Sequence, residues 1–238
     1  MEIQALPRSF SREEIKAAFP AAFAAKSVDL ASFTPGAFGL IVVDMIVGFA
    51  QEGPLSSPNA LAVATPIAQL MKACREQGVP TAFFADSHPA DSPEFSAYPS
   101  HCLAGSRESQ PLEVLEREGG YTLIPKNSTN GFLEPAFRQW LEGHPSLTEF
   151  IVVGCCTDIC VQQFALSLKT ELNRQNRQSR IVVPMALTAT YDAPGHPAGL
   201  TELASFQNMQ ASGIEIVSDI VLSPADESRK PQKGSEVL

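Results

Sequence analysis

The sequence predicts a three-layer α/β fold, with a mostly parallel sheet of roughly six strands covered by helices on both faces. Three observations predict it. The runs Gly39-Leu40-Ile41-Val42-Val43 and Phe150-Ile151-Val152-Val153-Gly154 are apolar without alternation, as strands buried on both faces of a parallel sheet must be. Helical segments alternate with these and weaker strand-like runs, which is the pattern of βαβ crossovers. The chain has 238 residues, 44% of them apolar and 18% charged, enough to bury a sizeable core in one α/β domain.

The elements follow in order. Ser11-Arg12-Glu13-Glu14 has the capping-box form and opens a helix running to about Lys26. Residues 27–36 lead into the first buried strand, which ends on Asp44. Asn59 to Gln77 reads as helical, with Thr65-Pro66 as an N-cap and N1 pair partway along and Gly78 at C′. A strand from Pro80 to Asp86 precedes a loop rich in Pro, Ser and His. A helix over Gln110–Glu118, a strand over Tyr121–Pro125 and a helix over Glu134–Glu142 come next. The second strong strand, Glu149–Gly154, runs into a helix from about Asp158 to Asn176. A strand at Arg180–Pro184, a helix over Pro197–Ser212 and a strand at Ile214–Val217 complete the domain. Residues 1–35 are an added helical arm, 36–222 the domain itself, and 223–238 a polar, flexible tail.

Charge excludes some partners. Seventeen basic and 26 acidic residues leave a net charge of −9, and no Lys/Arg cluster offsets it, so nucleic acid and anionic membrane are not expected partners. The most apolar segment, Phe38 to Ala50, carries Asp44 in its middle and is too short for a membrane span, which needs about 20 residues. No secretory signal is visible at the start of the sequence. Five cysteines, an odd number, fit a reducing cytosol and a cytoplasmic location.

In a parallel sheet of this kind ligands lie beyond the carboxyl ends of the strands. The sequence places Asp44, Asp86, Lys126 and the cluster Cys155-Cys156-Thr157-Asp158-Ile159-Cys160 there. Cys160 sits near the start of a helix, where backbone N–H groups and the helix dipole lower a thiol pKa and offer donors to an oxyanion. Asp44 and Lys126 are the charged groups available to activate it. Two readings of Cys160 stand at this point, a nucleophile and an inert buried cysteine. The loop Asp86-Ser87-His88…Glu94…His101 holds two of the four histidines, with carboxylates at a spacing that suits Zn²⁺, Mn²⁺ or Fe²⁺; its other reading is a solvated polar loop. His144 and His196, each beside a proline, read as surface residues.

Val43-Asp44-Met45-Ile46-Val47-Gly48-Phe49, Lys126 after a short strand, and Gly154-Cys155-Cys156-Thr157-Asp158-Ile159-Cys160-Val161 together resemble the three signatures of the isochorismatase-like cysteine hydrolases. Asp86-Ser87-His88 and Tyr98-Pro99-Ser100-His101-Cys102-Leu103-Ala104-Gly105-Ser106 resemble the metal loop of the plant-like nicotinamidases within that family. The similarity spans about residues 38–220. It implies Cys160 as nucleophile, Asp44 as the base, Lys126 as the cation that holds the thiolate, and the N–H groups of Cys156 and Cys160 as the oxyanion hole. It implies a cis peptide between Cys155 and Cys156. Asp86, His88, Glu94 and His101 match ligands of one divalent metal ion per subunit, zinc first and manganese or iron as alternatives, with Asp91 competing with Glu94. Phe49 and Tyr98 match aromatics that flank the substrate ring, and Asp158 supports the loop. Ser87 and Thr129 stand where relatives often carry aromatic residues.

The activity implied is hydrolysis of nicotinamide to nicotinate and ammonia through a cysteine thioester, a step of NAD salvage, in a homo-oligomer. The protonation of Asp44, Lys126 and Cys160 is expected not to depend on the ion. Two other readings remain open, a metal-free amidase for a ureido or carbamoyl substrate and a non-catalytic binding member.

Overall fold

The structure, a computed structural model, describes residues 16–222. The capping box at Ser11–Glu14 and the tail from residue 223 lie outside the described residues. In chain order come α1 (Pro20–Ala24), β1 (Val28–Asp29), β2 (Phe38–Val43), α2 (Val47–Ala50), α3 (Pro58–Ala62), α4 (Ala64–Glu76) and β3 (Thr81–Asp86). Then follow α5 (Glu113–Glu116), β4 (Thr122–Lys126), α6 (Pro135–Gly143), β5 (Glu149–Cys155), α7 (Gln162–Arg174), β6 (Arg180–Pro184), β7 (Thr188–Ala189), α8 (Ala198–Ala211), β8 (Glu215–Val217) and β9 (Ile220–Val221).

The main sheet has the order β4-β3-β2-β5-β6-β8, with β7 paired to β5 as its seventh strand. All of these pairings are parallel. The period of two along each strand sends alternate side chains to opposite faces. Leu40, Val42, Phe83, Ile151 and Val153 pack on one face against Ile67, Leu70 and Met71 of α4. Ile41, Val43, Phe84 and Val152 pack on the other against Phe137 of α6, Phe164 and Leu168 of α7, and Phe206 of α8. Each such side chain contributes about 1.5–3 kcal/mol by leaving water, which is why the unbroken apolar runs settle in the middle of three layers. Among the described residues no helix is long and apolar enough to cross a membrane.

Several boundaries differ from the sequence expectation, each for a local reason. The helix expected to reach Lys26 breaks at Phe19 (φ −125°, ψ 54°), because Pro20 disfavours a helical residue before it. The chain then adds β1, which pairs with β9. The helix expected over Asn59–Gln77 is two helices joined at Val63. Ser57 Oγ accepts from Asn59 N at the start of α3, and α4 starts before Thr65 can cap it. Gly78 adopts φ +69° past the end of α4, the left-handed C′ conformation expected of it. The helix expected over Gln110–Glu118 shrinks to Glu113–Glu116. The backbone of its first residues bonds to the chain after β2 instead, through Val47 N to Gln110 O (2.9 Å) and Leu112 N to Met45 O (3.0 Å).

Candidate active site

Four neighbouring strand ends build the site. Asp44 follows β2, Asp86 ends β3 and lies in register with Lys126 at the end of β4, and β5 leads into the cysteine cluster. Asp44 takes a left-handed conformation (φ +54°) at the sharp exit from β2. β2 and β5 approach so closely here that a Cβ on Gly154 would stand 2.0 Å from Val43 O, so only glycine fits. The peptide bond between Cys155 and Cys156 is cis. Cys160 lies on a π turn, Thr157–Val161, that runs directly into α7, with Val161 N bonded to Cys156 O at 3.1 Å.

These side chains converge. The Lys126 ammonium is fully buried and sits 2.9 Å from Asp44 Oδ2 and 3.8 Å from Cys160 Sγ. It also donates to Asp86 and, at 3.0 Å, to Ser128 O. The contact to Asp44 is an ion pair off the line of a well-formed hydrogen bond, and neither Asp44 oxygen has a directed donor. A buried carboxylate with spare acceptor capacity beside a thiol is the arrangement a proton acceptor needs.

Electrostatics sharpen the roles these groups can take. Burial pushes the Asp44 carboxyl up to about 7 against the opposing pull of Lys126, which poises it near neutrality. Burial alone would lower the Lys126 ammonium, but Asp44, Asp86 and Cys160 outweigh it and keep lysine protonated. Burial would raise Asp86, yet the charge of Lys126 holds it below the ordinary carboxylate range. The Cys160 thiol corrects the sequence expectation of a lowered pKa. Burial raises it well above the ordinary thiol value despite Lys126, so the resting group is a protonated thiol that needs a base.

Beside this triad, Asp86, His88, Glu94 and His101 bring four potential ligand atoms within 4.8 Å of one another. His88 Nδ1 is 2.9 Å from Asn127 Oδ1, and His101 Nδ1 is 2.8 Å from Pro99 O. Both acceptors require an N–H on Nδ1, which leaves Nε2 of each ring as the atom that can offer an unshared pair to a cation, and His88 Nε2 is buried without a hydrogen-bond partner. That donor set fits a divalent cation. Asp91 is exposed and lies outside the group, so Glu94 is the carboxylate the fold brings in.

A cavity of about 400 Å³ opens over both sets, and Phe49, Tyr98, Glu94, His101, Cys156 and Cys160 line it. The rings of Phe49 and Tyr98 lie 5.7 and 6.2 Å from that of His101. Tyr191 also lines the cavity, and sequence reading missed it. His196 is a correction, because it is not a free surface residue. Its Nε2 lies 2.8 Å from Asp158 Oδ2 and its ring stacks on Tyr191. The signal available in the sequence was Asp158 itself, a carboxylate near Cys160 in need of a donor. His144, by contrast, stays near the surface against Trp140.

The model of the isochorismatase domain matches residues 38–215. Nicotinamidase 1 of Arabidopsis thaliana is 29% identical over 214 residues, spanning 76% of this chain and 86% of that protein. The solved pyrazinamidase of Pyrococcus horikoshii in complex with zinc has a TM-score of 0.61 at 20% identity, over 76% of this chain and 98% of that one. N-carbamoylsarcosine amidase from Thermoplasma acidophilum has a TM-score of 0.62 at 23% identity, over 76% and 95% of the two chains. The last two share the fold and differ in the substrate each is named for, so the fold alone does not select one. With most of the chain inside a single domain match and the same parallel sheet, this protein belongs to the isochorismatase-like hydrolase family.

Proposed function

We propose that this protein hydrolyses nicotinamide to nicotinate and ammonia through a thioester on Cys160, as a step of NAD salvage. The observation that carries the reading is the buried group Asp86, His88, Glu94 and His101, with its imidazole Nε2 atoms aimed inward, in the same cavity as Cys160. A metal-free amidase has no use for such a group. The 29% identity to a plant nicotinamidase points the same way.

Asp44 takes the proton of the Cys160 thiol as sulfur attacks the amide carbon. The N–H groups of Cys156 and Cys160 receive the oxygen as it gains charge, a role in which losing one donor costs about 10²–10³ in rate. Lys126 keeps its proton throughout and stabilises first the thiolate and then the Asp44 carboxylate. The protonated Asp44 gives its proton to the departing nitrogen, which leaves as ammonia. Asp44 next takes a proton from water, the hydroxide adds to the thioester, and collapse releases nicotinate and returns the proton to sulfur. Phe49 and Tyr98 hold the ring between them. Asp86, His88, Glu94 and His101 would hold one divalent ion, zinc first by donor type, which supplies a Lewis-acidic anchor for the ring nitrogen.

Ammonia release from nicotinamide, with and without chelator, tests the reading. Metal-dependent release is expected. Release that chelation leaves unchanged would point to the metal-free amidase reading, and no release from any small amide would point to a binding protein.

A further inference from the structure

The segment Thr190–His196 closes one side of the cavity and hangs from the turn that carries Cys160. Thr190 Oγ1 donates to Asp158 Oδ1, and His196 Nε2 lies 2.8 Å from Asp158 Oδ2, so both oxygens of that carboxylate are occupied. His196 Nδ1 lies 2.8 Å from Tyr191 O. A carbonyl and a carboxylate both accept, so only the imidazolium form, with both ring nitrogens donating, satisfies the two contacts. The direction of its pKa agrees. Burial would lower it, but the bonds to Asp158 and Tyr191 outweigh that and raise it.

The imidazolium has a second task. Its ring lies 4.0 Å from the Tyr191 ring at an interplanar angle of 6°, a face-to-face stack that fixes where the tyrosine stands. The backbone on either side is tied as well. Glu202 of α8 accepts from Thr157 Oγ1 at 3.0 Å and from Thr190 N at 3.1 Å. Asn59 Nδ2 donates to Thr190 O at 2.9 Å, and Asp192 accepts from Ala198 N at the start of α8 at 2.8 Å. None of these groups reaches the reacting thiol, and the hydrolysis derived above uses none of them. Tyr191 nevertheless lines the cavity beside Cys156, Ile159 and Cys160.

We propose that Tyr191 is a specificity-determining wall of the cavity, selecting flat aromatic amides, and that His196 is a positioning residue that holds it there through Asp158. The inference rests on the amidase reading above. It assigns the aromatic stack, not the loop Asp86–His101 alone, part of the discrimination between ring and aliphatic amides.

The test is steady-state kinetics on nicotinamide with the full chain, wild type against Tyr191→Leu, Tyr191→Phe and His196→Ala, each with its iodoacetamide alkylation rate at Cys160. Tyr191→Leu should raise KM about tenfold, the loss expected for one stacking contact and its buried area, with kcat within about twofold. Tyr191→Phe should restore the wild-type KM. His196→Ala should raise KM about fivefold without changing the alkylation rate, because Asp158 keeps its bond to Thr190. A wild-type KM in Tyr191→Leu, or a His196→Ala defect confined to kcat, would overturn the inference. If His196→Ala fails to fold, the two Tyr191 variants decide it. Wild-type protein that turns over no nicotinamide would instead overturn the functional reading and this inference with it.

Discussion

Replacing Lys126 with methionine removes the cation that touches Asp44, Asp86 and Cys160 together. Its ammonium stands 3.8 Å from Cys160 Sγ. At an effective dielectric of about 20, a full thiolate charge at that distance is stabilised by about 4 kcal/mol. A tenfold change in an equilibrium corresponds to about 1.4 kcal/mol, so the loss would make ionisation of the thiol harder by roughly a thousandfold. Some of this is recovered as neighbours relax, so alkylation of Cys160 by iodoacetamide at pH 7.5 should slow by about 10²–10³-fold. The same change leaves Asp44 and Asp86 as buried carboxylates without their counter-ion, a loss of about 3–5 kcal/mol in folding stability. The assay is therefore run well below the variant's thermal midpoint, with the site of alkylation identified by mass spectrometry. An alkylation rate within threefold of wild type, in folded protein, would remove Lys126 from the activation of the thiol.

Cys160→Ala should abolish ammonia release while leaving the circular dichroism spectrum and the metal content unchanged, since a small side chain beside the cavity carries little packing. The acid limb of kcat/KM should have its midpoint near pH 7, falling tenfold per unit below it, because the Asp44 carboxyl at about 7 accepts no proton once protonated; a limb near pH 4 would show that burial does not raise this carboxyl in the working enzyme. His101→Ala, or chelation of the wild type, should strip the ion, raise KM for nicotinamide at least tenfold and slow Cys160 alkylation a few-fold, read by elemental analysis and kinetics. Gly154→Ala should lower the thermal midpoint by 10 °C or more or give insoluble protein, because its Cβ would overlap Val43 O at 2.0 Å.

The sheet was legible because its two central strands are apolar on both faces, and no helix of this length reads Leu40-Ile41-Val42-Val43 without a polar stripe. The strand ends followed, and with them Asp44, Asp86 and Lys126 at one edge. What stayed hidden depends on contacts distant in sequence. The two-residue strands β1, β7 and β9 are too short to show a period and exist because a partner strand passes beside them. Glu94 could not be told from Asp91 by spacing, since the 3-10 turn Pro93–Ser96 decides which carboxylate faces the histidines. The high pKa of the Cys160 thiol was hidden for a similar reason. A helix start suggests a lowered value, but the depth of burial that overrides it is a property of the assembled layers.

The Asp86–Lys126 contact joins what the sequence presents as two independent devices. The family resemblance assigns Asp86 to the ligand loop and Lys126 to the triad, and on that basis the thiol should ignore the ion. In the fold the two residues sit in register on adjacent strands, and the ammonium donates to Asp86 while facing Asp44 and Cys160. Asp86 Oδ2 also lies 3.6 Å from Nε2 of both histidines of the loop. A divalent cation shared among those ligands would draw off part of the charge that Asp86 otherwise directs at Lys126. The ammonium would then be held less firmly by Asp86 and more by Asp44 and the incipient thiolate. Without the ion the full negative charge of Asp86 would face the triad, where it opposes ionisation of both Asp44 and Cys160. An ion held by the loop would therefore do more than anchor the ring of the proposed substrate, because through this one carboxylate its occupancy would bear on how readily the sulfur gives up its proton.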